Sequence, residues 1–162
     1  MNCLSCGAKM KTQKENVHYT ACGLPHVTLR NIEVSRCPQC GEEEIAIPRI
    51  EALHKVIAQA LITKSSRLDA AEIRYLRKYL GWSGADFAAH MGTTRETVSR
   101  WENSQVHMGT QADRLLRLMV ATKGPVRDYS LDTLKAISAK RPPHTFRLGL
   151  TVEREGWHAE AA

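Results

Sequence analysis

The sequence predicts an α+β fold in two units: a small strand-rich unit built around four cysteines, then an all-α unit of short helices. Two observations carry this. All five cysteines fall within residues 1–47, as two CxxC pairs plus one extra, among β-branched stretches at 18–20 and 27–34. From Pro48 onward the apolar residues instead recur at spacings of three and four, punctuated by capping residues and glycines. A chain of 162 residues has room for one ordinary domain or two small ones, which excludes a large multi-domain enzyme.

The expected organisation is a metal-binding unit with a linker helix over 1–66, a helical unit over 67–141, and a tail over 142–162. Ile50, Leu53, Ile57 and Leu61 form the stripe of the linker helix, started by Pro48. Lys64, Ser65 and Ser66 then read as a linker. Asp69 with Glu72 is a capping-box pattern, and Ile73, Leu76 and Leu80 continue the apolar stripe to Gly81. A second short helix starts at Ser83 with Asp86 in its first turn and stops at Gly92. A third starts at Thr93, with Glu96 three positions on, and reaches about Asn103. A fourth covers Thr110 to Thr122 and a fifth Ser130 to Lys140. In the tail Phe146, Leu148, Leu150 and Val152 alternate with Arg147, Gly149, Thr151 and Glu153, a strand pattern that needs a partner strand. A second copy of the chain is one candidate for that partner.

Cys3, Cys6, Cys37 and Cys40 stand in CLSCG and CPQCG, where the glycine after each pair allows a tight turn. Four thiolates at that spacing suit a tetrahedral cation, and one structural zinc per chain is the first expectation. The spacing also fits the iron site of rubredoxins, although residues 1–47 hold a single aromatic, Tyr19, against the aromatic core of those proteins. With so few apolar residues in this stretch, the metal is expected to supply the stability a core would otherwise give. Cys22 is the odd thiol, and with the metal's four positions filled it reads as a small buried apolar residue or an idle thiol, with His18, His26 and His54 not needed as ligands. No nucleophile, base and orienting group come together in the sequence, so an enzyme is not expected.

The charge is uneven. The formal +6 concentrates in residues 67–141, which carry 13 basic and 8 acidic side chains, and this favours an anionic partner. No apolar run approaches a membrane span, and MNCLSCG has no signal-peptide character, so a cytoplasmic protein is expected. The second and third helices of the helical unit, WSGADFAAHMGTTRETVSRWENS, are joined by a short glycine turn, the way a chain presents one helix to the major groove. At about 100° per residue from Thr94, Val98 and Trp101 share one face. Arg95, Glu96, Ser99, Arg100 and Asn103 occupy the opposite one. Arginine suits guanine edges or phosphate, glutamate can accept from cytosine, and serine and asparagine are adaptable.

From about Arg74 to Thr122 the chain resembles the Cro/XRE family of repressor domains. The resemblance implies base-edge contacts from Arg95, Glu96 and Arg100, with Thr94 and Thr97 near a thymine methyl or phosphate. It also implies a buried structural pair between Arg77 and Glu102. Gly84 and Ser104 depart from the family pattern, which has Gln and Gly at these places. The whole arrangement over residues 1–125 is similar to the MqsA-type antitoxins with their YgiT-type zinc finger. That resemblance implies a homodimer on a palindromic double-stranded DNA operator, repression of the chain's own operon, and a toxin bound through the N-terminal unit. A stand-alone zinc-containing regulator and a protein-interaction module are the alternatives. The chain continues some 35 residues past the usual end of such proteins.

Overall fold

The computed structural model describes residues 1–123, 137, 146–154 and 156–161. The fifth helix expected over Ser130–Lys140 lies outside the described residues, Ile137 excepted. The remainder is α+β in the expected order. Strands β1 (Lys11–His18), β2 (Val27–Arg36) and β3 (Glu43–Ala46) precede helices α1 (Ile50–Thr63), α2 (Ala70–Tyr79), α3 (Gly84–Met91), α4 (Arg95–Glu102) and α5 (Thr110–Lys123). Two further strands follow, β4 (Leu148–Val152) and β5 (Trp157–Ala161).

The ten-residue β2 organises the sheet. Along one edge it pairs antiparallel with β1 for the whole length of β1. Its other edge is divided: β3 takes Glu33–Arg36 antiparallel, and β4 takes Val27–Arg30 parallel. β5 closes the path by pairing antiparallel with β4. The expected tail strand therefore exists, and its partner is β2 of the same chain. With β2 on one side and β5 on the other, β4 has no edge to offer a second copy. β5 was not foreseen.

A bulge sets which residues of β2 face the core. The register slips between Glu15 and Val17, so that Arg30 and Asn31 oppose the single Asn16. Asn31 takes a left-handed backbone, φ 61°, which asparagine tolerates better than most residues. The extra residue keeps Ile32 on the side of Val27 and Leu29, in spite of the odd spacing between them. All three join a buried apolar cluster with Leu53, Ile57 and Leu61 of α1, Ile73 and Leu76 of α2, Phe87 of α3 and Leu116 of α5. Leu148, Leu150 and Trp157 from the tail belong to the same cluster. The sheet thus draws on a core shared with the helices, and only at its tip do Cys3, Met10 and Cys37 make a small separate cluster.

The helix signals read from the sequence act as expected at α2 and α3, where Asp69 with Glu72 and Ser83 with Asp86 close reciprocal capping boxes. For α4 the cap is Thr94, whose hydroxyl accepts from the Thr97 amide, one position later than expected. In the stretch Lys64–Ser66, expected as a linker, Ser65 is exposed and Ser66 half-buried, but Lys64 is neither. Lys64 is buried and ion-paired to the equally buried Glu72, at 2.6 Å.

A four-cysteine metal centre and a candidate nucleic-acid interface

Strand register assembles the cysteines. Pairing of Lys11 with Arg36 sets the end of the first knuckle beside the start of the second. The two knuckles then repeat one backbone pattern. The Cys3 amide donates to Ala8 O and the Gly7 amide to Cys3 O; the Cys37 amide donates to Glu42 O and the Gly41 amide to Cys37 O. Gly7 and Gly41 both sit at left-handed φ, 74° and 77°, where a side chain is strained. Cys3 and Cys37 are buried, and Cys6 and Cys40 are exposed.

The four Sγ atoms lie within 4.8 Å of one another, with Cys3 to Cys40 at 3.5 Å and Cys6 to Cys37 at 3.3 Å. Metal–sulfur bonds of about 2.3 Å in a tetrahedron put the sulfurs about 3.8 Å apart, a spacing that small shifts of these side chains would reach. Charge points the same way. Amides of Cys40 and Gln39 lower the Cys37 thiol to about 6. Cys40 moves up to about 12, because hydrogen bonds with the neighbouring thiols outweigh the Glu42 amide that lowers it. Sulfurs this close cannot all ionise unless a cation lies among them. The cluster is suited to a metal ion, and all four expected ligands are in place.

Cys22 is half-buried, away from these sulfurs, and donates to Tyr19 O at 3.4 Å; burial raises its thiol. His54 is also no ligand. Its Nε2 meets the Tyr19 hydroxyl at 3.3 Å and its Nδ1 the Tyr75 hydroxyl at 2.9 Å, while Tyr75 donates to His54 O. A neutral ring protonated on Nδ1 satisfies all three bonds, and burial lowers the His54 pKa accordingly.

At the other end, α3 and α4 are joined through Gly92, at φ 63°. Val98 and Trp101 of α4 are buried, Trp101 edge-on to Phe87, and the opposite face is open. Arg95, Glu96, Ser99, Arg100 and Asn103 are exposed, with Thr97 half-buried. Among the described residues the side chains of Arg95 and Arg100 have no hydrogen bond or ion pair. Glu96 is held below the usual carboxylate range by its own amide, the Thr94 hydroxyl and the charges of Arg95 and Arg100. Thr94 is committed to the helix cap.

The pair implied by resemblance is present: Arg77 Nε donates to Glu102 Oε1 at 2.6 Å and Nη2 to Oε2 at 3.1 Å, while Nη1 donates to Trp82 O. Asn103 is engaged within the chain, donating to Ser99 O at 2.9 Å and accepting from Arg74 at 3.3 Å. Sequence reasoning placed it only on the open face. It also missed Asp113 and Arg117, both fully buried, where Nε meets Oδ1 at 2.6 Å. Their i, i+4 spacing is the only sequence signal, and it is shared by many exposed pairs.

No curated protein and no solved structure gives a significant match. Residues 1–124 match the family described as the antitoxin component of a bacterial toxin-antitoxin system, MqsA. That span contains the metal cluster, α1 and the complete helix-turn-helix. The chain belongs to the MqsA antitoxin family, is not an enzyme, and as an antitoxin has a toxin for a partner.

Proposed function

We propose that this antitoxin is also a sequence-specific DNA-binding repressor acting on its own operon, with zinc as the structural ion at Cys3, Cys6, Cys37 and Cys40. The observation that carries the DNA reading is the open face of α4. Two arginines whose side chains have no hydrogen bond or ion pair among the described residues flank an ionised Glu96, on a helix whose other face is pinned by Val98, Trp101 and the Arg77–Glu102 pair. Side chains held this way enter a groove with little reorganisation. Arg95, Glu96, Ser99 and Arg100 are the base-reading set, with Thr97 at its margin. Thr94 and Asn103 frame the helix and take any DNA contact through the helix ends.

One such helix reads few base pairs, so a symmetric dimer on a palindromic operator follows from the need for specificity. The tail cannot provide the contact through β4, both of whose edges are used. α5 exposes Leu115 and Leu118 on one side and is the apolar surface offered to a second copy.

The test is an anisotropy titration of the metal-loaded chain on its own upstream duplex and on a scrambled duplex, at two salt concentrations. Arg95→Ala and Arg100→Ala are each expected to weaken the specific complex by about 1 to 3 kcal/mol, with little change on the scrambled duplex. Equal affinity for both duplexes in the unmodified protein refutes the repressor reading and favours α4 as a protein-binding surface.

A further inference from the structure

The stretch between the sheet unit and the helix-turn-helix has the composition of a hinge, and its surroundings are those of a core. Arg117, fully buried on α5, donates to the carbonyls of Ile62, Lys64 and Ser66, and so gathers the end of α1 and the whole connecting turn. Asp113, one turn earlier on α5, holds Arg117 and also accepts from the Leu68 amide at 2.8 Å. Lys64 reaches from the turn into α2 to pair with Glu72, and the Phe146 ring lies 5.4 Å from its ammonium. Each of these groups is costly to expose singly, because a charge left behind has no partner. Opening the turn breaks all of them together.

Two more joints lie elsewhere. Tyr19 at the end of β1, His54 on α1 and Tyr75 on α2 are linked through one imidazole ring. The chain also returns to the sheet after the helices: Leu148, Leu150 and Trp157 enter the shared core, and Trp157 Nε1 donates to Pro48 O at 3.0 Å. The returning strands lie outside the residues that match the antitoxin family.

We propose that Arg117 is a positioning residue for DNA recognition: with Asp113, the His54 joint and the returning strands, it makes the metal-bearing sheet and the helix-turn-helix one rigid body. The consequence for DNA rests on the repressor reading above; the rigid body does not. A protein seated on the sheet or its knuckles is then carried at one fixed distance and orientation from α4. Such a partner and the operator either fit together or exclude each other, since no swing of the sheet unit resolves a clash.

Residual dipolar couplings on the metal-loaded full chain test this, without DNA. The amides of β2 and those of α2 to α4 are expected to fit a single alignment tensor. Two tensors of different magnitude in the unmodified protein overturn the proposal. Arg117→Met keeps the length of the side chain and removes its donors, and is expected to separate the tensors while the α4 amides stay dispersed. A variant that folds and still shares one tensor removes Arg117 from the role. Should Arg117→Met fail to fold, Phe146→Ala takes its place, because Phe146 is only half-buried and covers Lys64 from outside the helical unit. Added upstream duplex then separates the two readings. A single tensor with no binding sinks the repressor reading alone, and binding with two tensors sinks the rigid body alone.

Discussion

The two ends of the molecule reach order by different means. The helical end spells out its own structure, with reciprocal capping boxes at α2 and α3, glycines at the turns, and Phe87, Val98 and Trp101 packed beneath the open face of α4. The knuckle end has three buried residues in its cluster and two of them are cysteines of the metal-suited set, while Leu4 is almost fully exposed at its tip. Between them runs a sheet whose middle belongs to the shared core. A cation at the cysteines would therefore hold less of the chain than a strand-rich N-terminus full of cysteines suggests.

The largest effect follows from that difference. Metal–thiolate bonds in such a site contribute on the order of 10 kcal/mol of apparent folding energy, concentrated here in residues 1–10 and 36–42. Chelation, or Cys37→Ser, is expected to erase the amide signals of those residues. The signals of Val27–Ile32 and the helical circular dichroism should stay. Loss of the helices on chelation would mean that the metal holds the shared core as well, and the contrast between the two ends would fall.

The His54 joint gives a smaller effect, set by pH. Burial holds the ring neutral and places its pKa below the ordinary 6.5. The unfolded chain thus binds the proton more readily, and the contribution of this group is present above about 6.5 and is lost as pH falls through the folded value. The groups facing the ring are Tyr19, Tyr75 and the nearby Cys22, whose own ionisations are all pushed upward and stay silent in this range. His54→Gln does not titrate, so its loss of stability between pH 7.5 and pH 5.5, measured by urea denaturation, should be smaller than that of the unmodified protein. The metal site weakens with acid equally in both chains, and the comparison cancels it. Parallel curves would show that the ring carries no burial penalty.

Much of this was legible in the sequence, and the reasons for the rest are physical. The CxxC pairs, the capping boxes and the buried Val98–Trp101 face are local patterns, in which the residues that cause the structure lie within a few positions of one another. What escaped depends on partners distant in sequence. Lys64–Ser66 has the composition of an exposed linker, and Arg117 and Glu72 tie it down, burying Lys64. β5 lacks clean alternation and forms because β4 has an edge to pair. Arg30 crosses over Gly149 to reach Glu160, so that a Cβ at Gly149 would come within 2.9 Å of the guanidinium. No reading of the tail alone gives that glycine a purpose. Helical angle alone puts Asn103 on the open face, and its bond to Arg74, 29 residues away, is invisible to that reading. Thr93 and Thr94 are chemically equivalent caps, and the choice between them is made by where Gly92 turns the chain.

The smallest effect lies wholly within the helical end, where α4 stops. Ser104 sits at φ 59°, its amide bonds to Trp101 O, and the Gln105 amide bonds to Arg100 O, a Schellman closure in which glycine is the favoured residue at the position of Ser104. An L-residue pays about 1 to 2 kcal/mol for this conformation, while glycine adds about 0.5 to 1 kcal/mol of freedom to the unfolded chain. Ser104→Gly should then stabilise the protein by roughly 0.5 kcal/mol, a rise of about 1 to 2 °C in Tm for a chain of this size. Because the strain is local to α4, the same rise is expected with the metal bound and after chelation. A fall in Tm would show that the Ser104 side chain makes a contact that outweighs its backbone strain. A rise that disappears on chelation would show instead that the end of α4 depends on the knuckles.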